Sequence, residues 1–192
     1  CPHDKLFILT DEHTQRLCLP SLKEVSFLKD AVEICIGAED VHKTLETLAS
    51  VWMALSQQGA IRHSLLINLG GGMVTDLGGF AAATFKRGIS YINIPTTLLA
   101  MVDASVGGKT GINFLGLKNE IGVFSPADEV LINVDFFRSL DAANLRSGYA
   151  EMVKHALIDT REEWNEILKF DLENPDFGKL ATLVERSVRV KE

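Results

Sequence analysis

Cysteine is scarce in this 192-residue chain: Cys1, Cys18 and Cys35 form an odd set, none in a CxxC spacing. That argues against a disulfide framework and for reduced thiols in a cytoplasmic protein. Basic residues are in deficit, 19 Lys and Arg against 26 Asp and Glu, for a formal charge of -7. A chain this acidic has no general attraction for nucleic acid or for an anionic membrane. Long apolar runs are missing as well. Asp76 and Asp103 interrupt the longest of them, so no segment offers the roughly 20 residues of a membrane span. The start, Cys1-Pro2-His3-Asp4, lacks both the basic and the apolar region of a signal peptide. No internal repeat is visible. What the chain has in quantity is hydrophobic residues, 46 % against 23 % charged, enough for a sizeable core and too many for a disordered chain.

The first two thirds alternate strand-like and helix-like segments. Leu6 to Leu9, Val32 to Ile36, Ser64 to Leu69, Tyr91 to Ile94 and Val130 to Val134 read as short buried strands. Leu45, Leu48, Val51, Trp52 and Leu55 fall at helical spacing, with Gly59 as a stop, and a helix of small residues is expected over about 75–85. Apolar runs of this length, bounded by Gly or Pro and separated by helices, predict a parallel α/β sheet. From about Asp141 the pattern is helical, broken at Asn174-Pro175, so a domain boundary is expected near 135–141. Leu180, Leu183, Val184 and Val188 continue a helical pattern up to Glu192, from which we expect a longer parent protein.

Eleven of the 15 glycines lie between Gly70 and Gly122, where the net charge is +1 in a chain of -7. Glycine marks places where backbone turns sharply or approaches a ligand, and the local charge suggests an anion, most simply phosphate. Four pieces carry the chemistry. Gly70-Gly71-Gly72-Met73-Val74-Thr75-Asp76 follows a strand and opens a helix, as a pyrophosphate turn would, although Thr75 stands where a dinucleotide fingerprint has its third glycine. A tight turn without a ligand would use the same residues. Pro95-Thr96-Thr97 places two hydroxyls at the carboxyl edge of the sheet, to bond a nucleotide, to cap a helix, or both. Asp103 to Thr110 ends in Gly-Gly-Lys-Thr but lacks the first glycine of a P-loop, leaving Lys109 as a point charge for phosphate or a solvated lysine. Finally, Glu151, Lys154 and His155 share one helix face; Glu151 and His155 could ligate a metal, or Glu151 and Lys154 could form a surface ion pair.

These residues resemble the 3-dehydroquinate synthase family. The blocks GGGMVTDLGGFAAATFKRG, INIPTTLLAMVDASVGGKTGIN, LKNEIG and SGYAEMVKH occur in the family's order and spacing. The resemblance runs over essentially the whole chain and implies only the first part of such an enzyme. It implies a Rossmann-like α/β NAD-binding domain over 1–138 and the beginning of a helical metal- and substrate-binding domain over 139–192. It further implies conversion of the sugar phosphate DAHP into 3-dehydroquinate and phosphate in the shikimate pathway, with NAD used catalytically, a divalent zinc or cobalt ion, and a homodimer. For a fragment, no turnover is expected. Related alternatives are a sibling cyclase such as a 2-deoxy-scyllo-inosose synthase, a glycerol-dehydrogenase-like oxidoreductase, or a free-standing NAD-binding module.

Residue by residue, the resemblance assigns Gly71, Gly72, Met73, Val74, Thr75 and Asp76 to the pyrophosphate turn and ribose. It assigns Asp11, Asp40, Lys43, Thr96, Thr97, Lys118, Phe136, Phe137, Arg138 and Ser139 to the rest of NAD. Asp103, Lys109, Asn119, Lys154 and Lys191 match substrate positions, with Lys109 and Asn119 on the phosphate and Asp103, Lys109 and Lys154 as catalytic groups. Arg87 resembles an arginine lent to the neighbouring subunit. Glu151 matches the one glutamate among three metal ligands, whose two histidines belong to a later part of the family's chain, and His155 matches a position that is not a ligand.

Overall fold

The computed structural model describes residues 3–192. Cys1 lies outside the described residues, and so does its reading as a reduced thiol; Cys18 and Cys35 are free thiols. In chain order the elements are β1 (Leu6–Asp11), α1 (Glu12–Leu17), α2 (Leu19–Leu22), β2 (Val32–Ile36), α3 (Leu45–Gln57) and β3 (Leu65–Gly70). There follow α4 (Gly72–Thr84), β4 (Ser90–Pro95), β5 (Lys109–Phe114), β6 (Leu117–Phe124) and β7 (Glu129–Val130). Three helices close the chain: α5 (Ala142–Ile158), α6 (Arg161–Ile167) and α7 (Phe177–Lys191). No helix among the described residues is long and apolar enough to cross a membrane.

The α/β reading holds. Five parallel strands lie in the order β2-β1-β3-β4-β7. β1 and β3 are buried on both faces, which is why they read as continuous apolar runs rather than alternating ones. Their side chains divide by parity. Phe7, Leu9 and Leu66 pack with Leu48, Val51 and Leu55 of α3 and Leu77 and Phe80 of α4. Leu6, Ile8, Leu65 and Ile67 pack on the other face with Leu98, Met101, Met152, Leu180 and Val184, so α5 and α7 share a core with the sheet. The helix α4 needs its small residues to lie this close. A Cβ on Gly78 would stand 2.1 Å from Asn68 Oδ1 of β3.

Three features differ from the sequence reading. The last parallel strand shrinks to Glu129–Val130, because Asn133 Oδ1 accepts from the Asp135 amide at 2.9 Å and starts a 3₁₀ turn over Val134–Ser139. An antiparallel hairpin of β5 and β6, unforeseen, fills the glycine-rich window, turning at Leu115 and Gly116 with φ of 49° and 80°. The helical tail also breaks before α6, where Thr160 Oγ1 accepts from the Glu163 amide at 3.2 Å as an N-cap.

The hairpin is pinned to the sheet by Tyr91 of β4, whose hydroxyl donates to the Ser125 carbonyl. Burial pushes its phenol from 10.0 up to about 12. A folded value above the unfolded one stabilises fully below the unfolded value, and the stability is lost as pH rises through the folded one. The Tm should therefore fall between pH 10 and about 12. Tyr91→Phe should start lower, having lost the Ser125 bond, and fall less over that interval. Parallel Tm–pH curves for the two proteins would refute this.

Candidate functional site

The chain reverses its winding between β1 and β3, and open α/β sheets bind ligands at the carboxyl ends of strands beside such a point. A cleft of about 730 Å³ opens there. Its walls bring together Asp11, Asp40, Lys43, Gly71, Gly72, Met73, Asp76, Thr96, Thr97, Phe136 and Ser139, eleven residues that the sequence assigned to NAD.

Gly71 is the N-cap of α4, and the first amides of that helix lack intrahelical acceptors, so an anion finds donors and a favourable dipole there. The glycines leave a cradle. A Cβ on Gly71 would stand 3.2 Å from Thr97 Cγ2, and one on Gly72 3.2 Å from Ala104 Cβ. These residues fit the pyrophosphate of a dinucleotide. The cap reading holds for Thr97: its Oγ1 accepts from the Ala100 amide at 3.2 Å, and its own proton stays available to donate into the cleft it lines. Thr96 is buried, its amide donating to Gly70 at 2.9 Å across the end of the sheet.

Five assigned side chains are placed elsewhere. Val74 is wholly buried against Gly70, so only its backbone can meet a ligand. Thr75 is buried, with its hydroxyl donating to the Gly72 carbonyl at 3.1 Å. Phe137 packs on Phe177 with ring centroids 6.0 Å apart, and Arg138 turns out to Asp135 at 3.3 Å. Asp11 lines the cleft, yet its carboxylate accepts from the Thr14 amide at 2.7 Å in a capping box. Lys118 lies outside this cleft, on the hairpin, 3.1 Å from Asp40. Partial burial alone would raise the Asp40 carboxyl, but the hydrogen bonds and charge of Lys118, with Asn113, hold it below its ordinary value.

A second cleft, of about 460 Å³, adjoins the first. Asp103, Lys109, Asn119 and Lys191, separated widely in sequence, all line it, and Asp76, Asp103 and Ala104 belong to both clefts. Lys191, near the end of α7, donates to Asp103 Oδ1 at 2.6 Å. Asp103 itself sits on a wide-wound turn over Ala100–Ala104. Asp76 meets Lys43 at 2.5 Å, but burial outweighs that lysine and pushes its carboxyl above the ordinary value.

Glu151, Lys154 and Arg87 line neither cleft. Glu151 accepts from Lys154, and His155 Nε2 lies 3.3 Å from the same oxygen, while His155 Nδ1 meets Ser187 Oγ at 2.7 Å. His155 is thus buried between α5 and α7. Among the described residues no group of three or more His, Cys, Asp or Glu could hold a metal ion, so they do not fit a complete centre. Arg87 is exposed at φ 67°, next to Lys86 at 49°. The sequence reading missed Asn144 and Asp141 in the first cleft and Thr110 and Phe124 in the second. Asp141 had a signal, since Asp three residues before Asn at a helix start is a capping pattern, and its carboxylate accepts from the Asn144 amide at 2.9 Å.

Comparison with known proteins agrees with this geometry. A family model described as 3-dehydroquinate synthase N-terminal matches residues 33–147. The 3-dehydroquinate synthase of Parabacteroides distasonis is 54% identical over 190 residues, covering 99% of this chain and 54% of that protein. The chain spans about half the length of most of the curated relatives it matches. Among solved structures, the 2-epi-5-epi-valiolone synthase ValA of Streptomyces hygroscopicus, with NAD+ and Zn2+ bound, superposes with a TM-score of 0.86 at 32% identity, over 97% of this chain and 54% of that one. A 2-deoxy-scyllo-inosose synthase complexed with carbaglucose-6-phosphate, NAD+ and Co2+ superposes at 0.87 and 25% identity, over 98% of this chain and 53% of that one.

Proposed function

The chain belongs to the 3-dehydroquinate synthase family, and we propose that it is the NAD-binding part of an enzyme that turns DAHP into 3-dehydroquinate and phosphate. The observation that carries the reading is the junction of the two clefts at Asp76, Asp103 and Ala104, which brings a cofactor in one within reach of a substrate in the other. Identity to the dehydroquinate synthases exceeds that to the two solved cyclases, which favours DAHP among sugar phosphates. We divide the labour at 138/139: the sheet before it holds cofactor, and the helices after it bring Glu151, Lys154 and Lys191.

The residues of the first cleft would hold NAD, which would supply a reversible hydride acceptor for an alcohol carbon of the substrate. The chain's own residues position and polarise. The amides at the start of α4 hold the pyrophosphate, Asp76 accepts from a ribose hydroxyl, and Thr96 and Thr97 border the same space. Lys109 and Asn119 hold the substrate phosphate, and the Lys109 ammonium offsets its charge as it leaves. The Lys191–Asp103 pair sets the wall between the two ligands. Of a zinc or cobalt centre the described residues offer Glu151 alone, and a single carboxylate does not hold such an ion tightly. Arg87, exposed and away from both clefts, suits a site on a second copy, hence a homodimer. The free thiols Cys18 and Cys35 suit the cytoplasm.

Calorimetric titration of the 192-residue chain with NAD should give saturable binding, and mixing it with NAD, DAHP and zinc should release no phosphate above background. Absence of NAD binding would overturn the cofactor reading. Phosphate release at the rate of a full-length relative would overturn its being an incomplete enzyme.

A further inference from the structure

The two clefts share more than a wall. The ammonium of Lys43 stands between them, its side chain only 5% exposed, 2.5 Å from Asp76 Oδ2 and 2.5 Å from Asn119 Oδ1. It belongs to the loop after β2, Asp76 to the first turns of α4, and Asn119 to β6. Further bonds tie that loop to the hairpin: the Asn113 amide donates to the Lys43 carbonyl at 2.8 Å, and Asn113 Nδ2 donates to Asp40 Oδ2 at 3.1 Å. Asn119 is itself held in the left-handed region at φ 54°, its amide donating to Asn113 Oδ1 at 2.9 Å.

A carboxamide has one accepting and one donating end, and an ammonium can bind only the accepting one. With Lys43 on Oδ1, the Nδ2 donors of Asn119 are left for the 460 Å³ cleft that this residue lines. An anion there meets donors rather than a repelling carbonyl. Lys43 divides its charge between this oxygen and Asp76. A hydroxyl that donates to Asp76 satisfies part of that carboxylate and releases the ammonium toward Asn119.

We propose that Lys43 is a positioning residue that orients the Asn119 amide for phosphate and, through Asp76, couples phosphate binding to occupancy of the dinucleotide cleft. The proposal rests on the assignment of NAD to the first cleft and phosphate to the second. Its sign follows from the ammonium that a ribose hydroxyl on Asp76 releases toward Asn119, and linkage makes the tightening equal in both directions.

The test is calorimetric titration of the chain with NAD, with and without saturating inorganic phosphate. Phosphate should tighten NAD binding about fivefold, the low end of ordinary coupling. In Lys43→Met, which also removes a residue of the NAD cleft, NAD should bind more weakly and phosphate should no longer change its affinity, and Lys43→Arg should restore a ratio above one. A ratio of one in the unchanged chain, or an undiminished ratio in Lys43→Met, overturns the coupling while leaving the NAD site standing. No NAD binding in the unchanged chain overturns both. If circular dichroism shows Lys43→Met unfolded, Lys43→Gln takes its place with the same expected loss, since a shorter, neutral amide has no charge to divide between Asp76 and Asn119.

Discussion

Gly72→Val should weaken NAD binding by about 100-fold while leaving the chain folded. Position 72 is the first residue of α4, whose free backbone amides are the proposed pyrophosphate donors, and a Cβ there already stands 3.2 Å from Ala104 Cβ. The two methyls of valine must project into the cradle or displace the turn that carries Asp103. Either way the pyrophosphate is held off the amides, and losing even one or two charge-assisted hydrogen bonds at about 1.5–3 kcal/mol each accounts for a loss of that size. The fold should survive, because valine is tolerated in the first turn of a helix and Gly72 has an ordinary helical φ. Calorimetry reads the affinity and circular dichroism the fold. A dissociation constant within threefold of the unchanged chain would mean that the pyrophosphate lies elsewhere.

The largest stability effect is expected from Gly148→Ala, at about 2–3 kcal/mol, or roughly 4–12 °C in Tm for a chain of this length. A Cβ on Gly148 would stand 2.4 Å from the Leu99 amide nitrogen and 2.5 Å from Leu98 Cβ. Backbone, not a flexible side-chain tip, occupies the space, so α5 must move off the 98–104 turn. Leu98 and Met152 are both within the core cluster that joins the helices to the sheet, so the displacement opens packed volume as well. Alanine is the better helix former by about 1 kcal/mol, which offsets only part of the strain. Thermal unfolding followed by circular dichroism decides it, and an unchanged or raised Tm would show that α5 adjusts at no cost.

These two glycines show how unevenly sequence reports structure. Gly72 was legible: an apolar run, three glycines and a small-residue helix make one local pattern, and each part is recognisable from its immediate neighbours. Gly148 carried no comparable sign, since what it touches is the Leu98–Leu99 backbone, about fifty residues earlier. The β5–β6 hairpin was hidden for another reason. Gly111 and Gly122 interrupt the alternation that marks a strand, and they are there because the two chains pass so closely that a Cβ on Gly122 would stand 1.9 Å from the Thr110 carbonyl oxygen. Val74 and Thr75 lie in the turn block that the resemblance assigns to the ligand, yet helix geometry buries both side chains away from the cleft.

By itself the sequence determined the parallel sheet, the glycine turn after β3, the threonine pair at the end of β4 and the family blocks. Each of these is written in residues a few positions apart, where steric preference and periodicity act. Only the tertiary structure decided that Lys43 stands between Asp76 and Asn119, that Lys191 closes on Asp103 across 88 positions, and that two clefts share one wall. Such contacts arise when distant segments exclude water from a charged group and leave it one set of partners, and no local pattern encodes which segments those are.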